Sequence, residues 1–224
     1  MHERFFDRRE AGRRLGERLL SYAGRPDVRV LGLPRGGVPV AFQVAQRLQV
    51  PLDVHVVRKL GVARHPELAM AAIASGGVLV LNHRLVDRWA IPPEDIDRAA
   101  LLESEELARR TRAYRGGRAP LNVKGCTAIV VDDGLASGIT MRAAVAGLRH
   151  AGAHRIVVAV PIGTGYGCIG LSGDADEVVC MEMPVPFREL ARWYRNFPQV
   201  EDHEVRDLLD RAAGENLQVD EIFT

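Results

Sequence analysis

A chain of 224 residues, 47% hydrophobic, can close one sizeable core and carry an appended subdomain. Lys+Arg 30 against Asp+Glu 29 leaves a formal charge of +1, which excludes recognition of nucleic acid or a membrane surface by bulk charge but leaves room for a local basic site. The N-terminal stretch "MHERFFDRREAGRRLGERLL" is charged throughout and so unlike a secretory signal, and no apolar run approaches the roughly 20 residues that span a bilayer.

Asp7 with Glu10 has the form of a capping box, and Ala11, Leu15, Leu19 and Leu20 follow at helical spacing, which predicts a helix over 7–22. "VRVLGLP" (28–34) is a short apolar strand ending at a Pro-Arg-Gly-Gly turn. "VPVAFQVAQRLQ" then reads as a helix and "PLDVHVVRKLG" as a second strand, together a βαβ unit of a buried parallel sheet. "ELAMAAIASGGVLVLN" reads as two short strands in a hairpin around Gly76-Gly77. Residues 93–114 are helical, with Glu105/Arg109 and Glu106/Arg110 as i,i+4 pairs, and the basic "RAYRGGRAPLNVKG" after them reads as a loop. The rhythm resumes with a strand at 127–132, a helix at 138–151, strands at 155–161 and 176–183, and an aromatic-bearing helical segment over 184–213. The pattern predicts one α/β domain spanning 1–224: a doubly wound, mainly parallel sheet with its core at about 25–60 and 125–183 and an excursion at about 61–124.

In an open parallel sheet, ligands bind beyond the carboxyl ends of the strands. "VVDDGLASGIT" (130–140) sits at such an end and sets two acids beside a loop of glycines and hydroxyls. Acids repel phosphate, whereas the uncapped N–H groups and dipole of the following helix, with the hydroxyls of Ser137 and Thr140, attract it. The contradiction dissolves if the ligand has two parts, a sugar diol for Asp132 and Asp133 and a phosphate for the loop, with Gly134 giving freedom to the turn. A ribose 5-phosphate fits that description. The competing reading is a buried acid pair capping a helix in an enzyme of another kind. The spacing is not that of a nucleotide-triphosphatase loop, because the lysine before the last hydroxyl is missing.

"VVDDGLASGITM" resembles the signature of the type I phosphoribosyltransferases. "VLGLPRGGVPVA", "VVRKLG" and "HPELAMAAI" resemble a bacterial stand-alone subgroup of them, over about residues 5–210. Ser137 stands where many members carry Thr. The resemblance implies the type I fold with a small hood and flap subdomain, and a reaction that moves ribose 5-phosphate from phosphoribosyl pyrophosphate (PRPP) to a nitrogen acceptor, a nucleobase, releasing pyrophosphate. It implies that Asp132 and Asp133 bind the ribose hydroxyls and that Gly134, Ala136, Ser137, Gly138, Ile139 and Thr140 hold the 5-phosphate. Arg35, Gly36 and Gly37 match the pyrophosphate loop, and Arg58 and Lys59, at the next strand's end, its second contact. Asp132, Asp133, Arg35 and Lys59 are the residues that would carry catalysis. Mg²⁺ would be held by PRPP, reaching Asp132 and Asp133 through water, with no direct protein ligand. Relatives are often dimers, so a homodimer is one expectation. Another is a cytoplasmic protein of nucleobase salvage whose partners are PRPP and a small acceptor, with neither nucleic acid nor membrane.

Weaker signals stand beside these. Gly165, Gly167 and Gly170 match GxGxxG, but they follow a late strand and Val185 stands where a dinucleotide site wants an acid, so a glycine-rich turn is expected and an oxidoreductase is the third reading. In the hood, Phe187, Trp193 and Tyr194 are candidates for stacking on the acceptor, balanced against simple packing. "RTRAYRGGRAPLNVKG" borders the segment expected to form the flap. His203, in "EDHE", is expected to be solvated rather than a ligand. Cys126, Cys168 and Cys180 are too far apart for a CxxC-type pair, and their odd count argues against a disulfide scaffold, so they read as reduced core residues. A non-catalytic PRPP-binding sensor would need the same motif, and only turnover separates it from an enzyme.

Overall fold

A β-branched run buried at every position, as Thr127–Val131 is, requires helices on both faces of a sheet, and that is the arrangement the chain adopts. The computed structural model describes residues 4–63 and 65–220. In order they form α1 (Arg8–Arg18), β1 (Val28–Gly32), α2 (Gly37–Leu48), β2 (Leu52–Val54), β3 (Val57–Val62), β4 (His65–Ala74), β5 (Val78–Leu81), α3 (His83–Trp89), α4 (Pro93–Arg115), β6 (Thr127–Val131), α5 (Ile139–His150), β7 (Arg155–Ile162), α6 (Gly165–Ile169), β8 (Glu177–Glu182) and α7 (Asp202–Asp220).

Among the described residues the main sheet has five strands, all parallel, in the order β2-β1-β6-β7-β8. Alternation sorts its side chains cleanly. Val28, Val30, Ile129, Val131, Val157 and Ala159 join Leu15, Phe42 and Leu48 of α1 and α2 on one face. Leu31, Ala128, Val130, Ile156 and Val158 join Met141, Val145 and Leu148 of α5 on the other. The doubly wound α/β fold is thus as expected.

The expected strand over 51–61 is two strands. Val54 ends β2, and β3 then starts a second, antiparallel sheet in the order β3-β4-β5, whose β4–β5 hairpin turns at Gly76-Gly77. Val54, Val56 and Val57 carry the apolar pattern across the junction, so hydropathy alone does not mark the change of sheet. Faces alternate here too: Val57, Ala72 and Ala74 pack on Ile139 and Ala143 of α5, whereas Leu60, Met70 and Ile73 share a cluster with Ile96 and Leu107 of α4.

Three further expectations change. The short helix α3, capped by Asn82 accepting from the Leu85 N–H at 3.3 Å, lies inside the excursion, where the sequence pattern predicts no helix. Of the two pairs expected on α4, Glu106 takes both Arg109 and Arg110 at 2.6 Å. Residues 184–201 are largely irregular, with one 3-10 turn at Leu190–Trp193, and helix begins only at Asp202. Pro184, Pro186 and Pro198 explain this, since proline removes a helical donor and clashes with the preceding turn.

Candidate functional site

β1 and β6 are neighbours, and their ends carry the two loops of interest. After β1, the Pro34–Arg35 peptide is cis, and Gly36 and Gly37 open α2. After β6 come Asp132 and Asp133. A Cβ on Gly36 would lie 2.0 Å from Asp133 Oδ2, and one on Gly37 would lie 2.8 Å from the Asp132 Cα. Only glycines allow these two strand ends to touch, so the glycine loop and the acid pair are one site.

The acids do not share an environment. Asp133 is 9% exposed and turned inward, where Oδ2 receives the Arg8 Nε–H at 2.8 Å. Arg8 also donates to the Pro198 carbonyl at 2.7 Å and lies 3.6 Å over the Phe197 ring. Burial lifts the Asp133 carboxyl above the usual carboxylate range, against the pull of Arg8. Asp132 is half-buried, and its Oδ1 accepts the Asp133 N–H at 2.9 Å. Burial first, then the charge of Asp133, raises its carboxyl well above the usual range, while Lys59 pulls it down. A half-buried acid raised in this way, with a lysine near enough to act on it, is a candidate ligand group.

The loop beyond the acids leads into α5. Gly138, at φ 79°, is its N-cap and makes the left-handed turn, with no side chain capping the helix. The freedom expected of Gly134 is therefore exercised at Gly138; Gly134 instead makes room for Leu190, whose Cδ1 would lie 2.2 Å from a Cβ there. Ala136 and Ser137 are exposed, and the first-turn N–H groups of α5 have no side-chain cap, an arrangement suited to an anion. The loop is held from behind. Leu135 bridges to Gly163, the Thr164 hydroxyl donates to the Ala136 carbonyl at 2.7 Å, and Gly167 packs under the same carbonyl. The glycine-rich turn expected at 165–170 is a short helix capped by Thr164, and it buttresses the loop.

Of the expected cations, Lys59 reaches the site and Arg58 does not. Both lie within β3 rather than at a strand end, so they point to opposite faces. Lys59 is exposed toward the acid loop, while Arg58 binds Glu103 of α4 at 2.6 Å. Arg35 lies 3.4 Å from Glu201 and 3.8 Å from Asp202, at the start of α7.

Tyr194 is withdrawn as an acceptor contact. It is 3% exposed, stacks on Phe197, and donates its hydroxyl to the Asp133 carbonyl at 2.6 Å. Phe187 and Trp193 are partly buried beside the same cluster of Phe5, Ile162 and Tyr194. The residues that sequence reasoning missed are Arg8, Thr164 and Leu190. Arg8 sits in a run of charged residues that carries no sign of its burial, but the Thr164 cap was readable before the glycines. Among the described residues no group of three His, Cys, Asp or Glu could hold a metal, and no helix is long and apolar enough to cross a membrane.

Comparison with known proteins shows the family. The profile of the phosphoribosyl transferase domain matches residues 6–182. A Mycobacterium tuberculosis protein bearing the name "Putative phosphoribosyl transferase" is 48% identical over 208 residues, which is 93% of this chain and 47% of that protein, so the chain spans about half its relative's length. A crystal structure of the protein TT1426 from Thermus thermophilus superposes with a TM-score of 0.78 at 40% identity, covering 92% of this chain and 97% of that one.

Proposed function

Because the chain belongs to the phosphoribosyltransferase family, we propose that it transfers ribose 5-phosphate from PRPP to a ring nitrogen of a nucleobase, with release of pyrophosphate. The observation that carries this reading is the contact between the two strand-end loops, which sets a half-buried carboxylate, Asp132, between an uncapped helix N-terminus and a glycine turn.

The 5-phosphate rests on the N–H groups and hydroxyls of Ala136–Thr140, and Asp132 accepts hydrogen bonds from the ribose diol. Asp133 acts at one remove: locked by Arg8, it fixes the turn on which Asp132 stands. The Gly36-Gly37 backbone approaches the leaving group, and Lys59 faces it. As the C1–O bond breaks, negative charge collects on pyrophosphate and positive charge on the sugar. Lys59 on one side and Asp132 on the other stabilise both, while the acceptor nitrogen attacks C1 and its proton passes to solvent water. The donor set fits Mg²⁺ held by PRPP: Asp132 is the half-buried acid that would reach it through water, the hard, partly hydrated oxygen environment this ion takes. When bound, it would offset the charge of the leaving group. Phe187 and Trp193 are the aromatics left to border the acceptor.

The test is pyrophosphate release from PRPP and Mg²⁺ with a panel of purine and pyrimidine bases. Turnover with one base is the expected result. PRPP binding without turnover for any acceptor would reduce the role to sensing, and absence of PRPP binding would refute the reading.

A further inference from the structure

Cys168 and Cys180 stand too far apart in the sequence to announce a pair, yet the fold sets both over one residue. Cys168 belongs to α6 and Cys180 to β8, the last strand in the order of the main sheet. A Cβ on Gly163, which links β7 to α6, would lie 2.5 Å from Cys168 Sγ, 3.2 Å from Cys180 Sγ and 3.2 Å from the Leu135 Cβ. The space that this glycine leaves empty is where the two sulfurs converge, directly behind the loop that follows the acid pair. Both thiols are free, and the reaction proposed above uses neither.

Their settings differ as those of an attacking and a resolving thiol do. Cys168 is buried, but the neighbouring Cys180 thiol holds its pKa below the usual thiol value, against the effect of burial. Cys180 shifts the other way, pushed up by Cys168 first and by burial second. Cys168 is therefore the sulfur that ionises first, and a thiolate is the form that attacks a peroxide. A small oxidant has a way in. Cys180 is only half-buried, and α6 is a single turn at the surface with Tyr166 and Ile169 exposed on it.

α6 is also what holds the phosphate loop from behind. The Thr164 hydroxyl donates to the Ala136 carbonyl, and a Cβ on Gly167 would lie 2.6 Å from that same oxygen. Cys168 follows Gly167 directly, and its N–H donates to the Thr164 carbonyl at 2.9 Å, so the sulfur rides on the turn that props the loop. A disulfide is about 2.05 Å long, shorter than any unbonded contact of two sulfurs, so forming it pulls the two elements together. β8 is fixed by its pairing with β7, where Cys180 stands opposite Val160, whereas α6 has five residues and one side in solvent. The helix is the part that yields. Because β7 lies between β8 and β6, the strand that carries the loop, a pull toward β8 is a pull away from Ala136.

We infer that Cys168 and Cys180 form an oxidisable dithiol: a hydroperoxide joins them in a disulfide, and the bond draws α6 off the 134–140 loop and weakens its hold on a 5-phosphate. The second half rests on reading that loop as the 5-phosphate site. With hydrogen peroxide, the Cys168 sulfur attacks one oxygen, the O–O bond breaks, and hydroxide leaves behind a sulfenic acid. The Cys180 sulfur then attacks the Cys168 sulfur, the S–O bond breaks, and a second hydroxide leaves. The two thiol protons turn both hydroxides into water, so two electrons pass from the pair to one peroxide.

The experiment treats the reduced wild-type chain with hydrogen peroxide and maps its cysteine peptides by mass spectrometry without reduction. Calorimetry with ribose 5-phosphate and Mg²⁺ is run before oxidation, after it, and again after dithiothreitol. The expected result is a Cys168–Cys180 disulfide, an affinity lower by about three- to tenfold, the scale of one hydrogen bond, and recovery on reduction. Cys180→Ser and Cys180→Ala change a half-buried position and should keep the reduced affinity before and after peroxide, while Cys126→Ser should respond as the wild type does. Absence of the 168–180 link overturns the site, and a link with unchanged affinity overturns its effect on the loop. An equal loss in the Cys180 variants overturns it as well, because the damage would then lie elsewhere. Failure of the reduced chain to bind ribose 5-phosphate would refute the phosphate loop, and the coupling with it, while the peptide map still decides the bond.

Discussion

Replacing Gly36 by alanine adds one methyl group where the site can least accept it. The backbone is not the obstacle, since φ −62° and ψ −31° suit any residue. The new Cβ would sit 2.0 Å from Asp133 Oδ2, and ordinary contact begins at 3.4 Å, so the carboxylate must retreat by about 1.4 Å. Its bond to Arg8 is 2.8 Å long, and both side chains are nearly enclosed, at 10% and 12% exposure. A retreat of that size stretches the pair past hydrogen-bonding range unless the chain shifts with it. Overpacking absorbed by small shifts costs about 1–3 kcal/mol, and outright loss of a buried pair about 3–5 kcal/mol. At about 2–4 °C per kcal/mol for a chain of this size, the milder case lowers the melting temperature by roughly 2–12 °C. Thermal unfolding followed by circular dichroism reads the stability, and PRPP calorimetry reads the tilt imposed on Asp132. Gly165→Ala is the control, because nothing lies within 4 Å of a Cβ there. A Gly36→Ala protein that melts with the wild type and binds PRPP unchanged would show that the two loops do not meet as described.

Arg8→Met should lower stability by about 3–5 kcal/mol in urea unfolding, because it leaves the Asp133 carboxylate buried and unpaired; a loss below about 1 kcal/mol would contradict the burial of that pair. Thr164→Val removes the hydroxyl that holds the Ala136 carbonyl and should weaken ribose 5-phosphate binding about three- to tenfold while the fold persists, the scale of one hydrogen bond. His55 gives the chain a pH dependence. Burial, then the Arg115 charge, lowers its pKa from 6.5 to about 4, with Asp53 opposing. The unfolded chain therefore takes up a proton first, so the neutral ring's contribution is whole above pH 6.5 and lost as pH falls toward 4, on the order of 3 kcal/mol. Unfolding free energies measured from pH 7 to 4 should fall more steeply for the wild type than for His55→Leu, and parallel curves would refute this.

What the sequence disclosed and what it hid follow from the range of the interactions involved. The parallel core was legible because each strand is a local apolar run, and the loop at 130–140 because acids, glycines and hydroxyls at fixed spacing state a chemistry without tertiary context. The break between β2 and β3 was not, since valines run across it and what changes there is the pairing partner. Arg58 and Lys59 read in sequence as partners at a strand end; that they lie inside a strand, and so face opposite ways, follows from where the second sheet begins. Arg8 and Asp133 are 125 residues apart, a separation at which no local pattern can announce a pair. The aromatic segment misleads for another reason. Pro184, Pro186 and Pro198 are visible in the sequence, but the crowding of Phe187, Trp193 and Tyr194 outweighs them, and Tyr194 is a brace for the Asp133 carbonyl.

The most direct test of the whole account is titration of PRPP with Mg²⁺ into wild-type protein and Asp132→Asn. The raised carboxyl of Asp132 makes the substitution safe for folding. Its ionisation opposes the native state as pH rises above its unfolded value near 3.9, so the variant should melt at or above the wild-type temperature at pH 7. The account predicts measurable binding to the wild type and at least a hundredfold loss in this intact variant. Equal affinity in both proteins would mean that Asp132 does not hold the sugar, and the assignment of the site would fall with it.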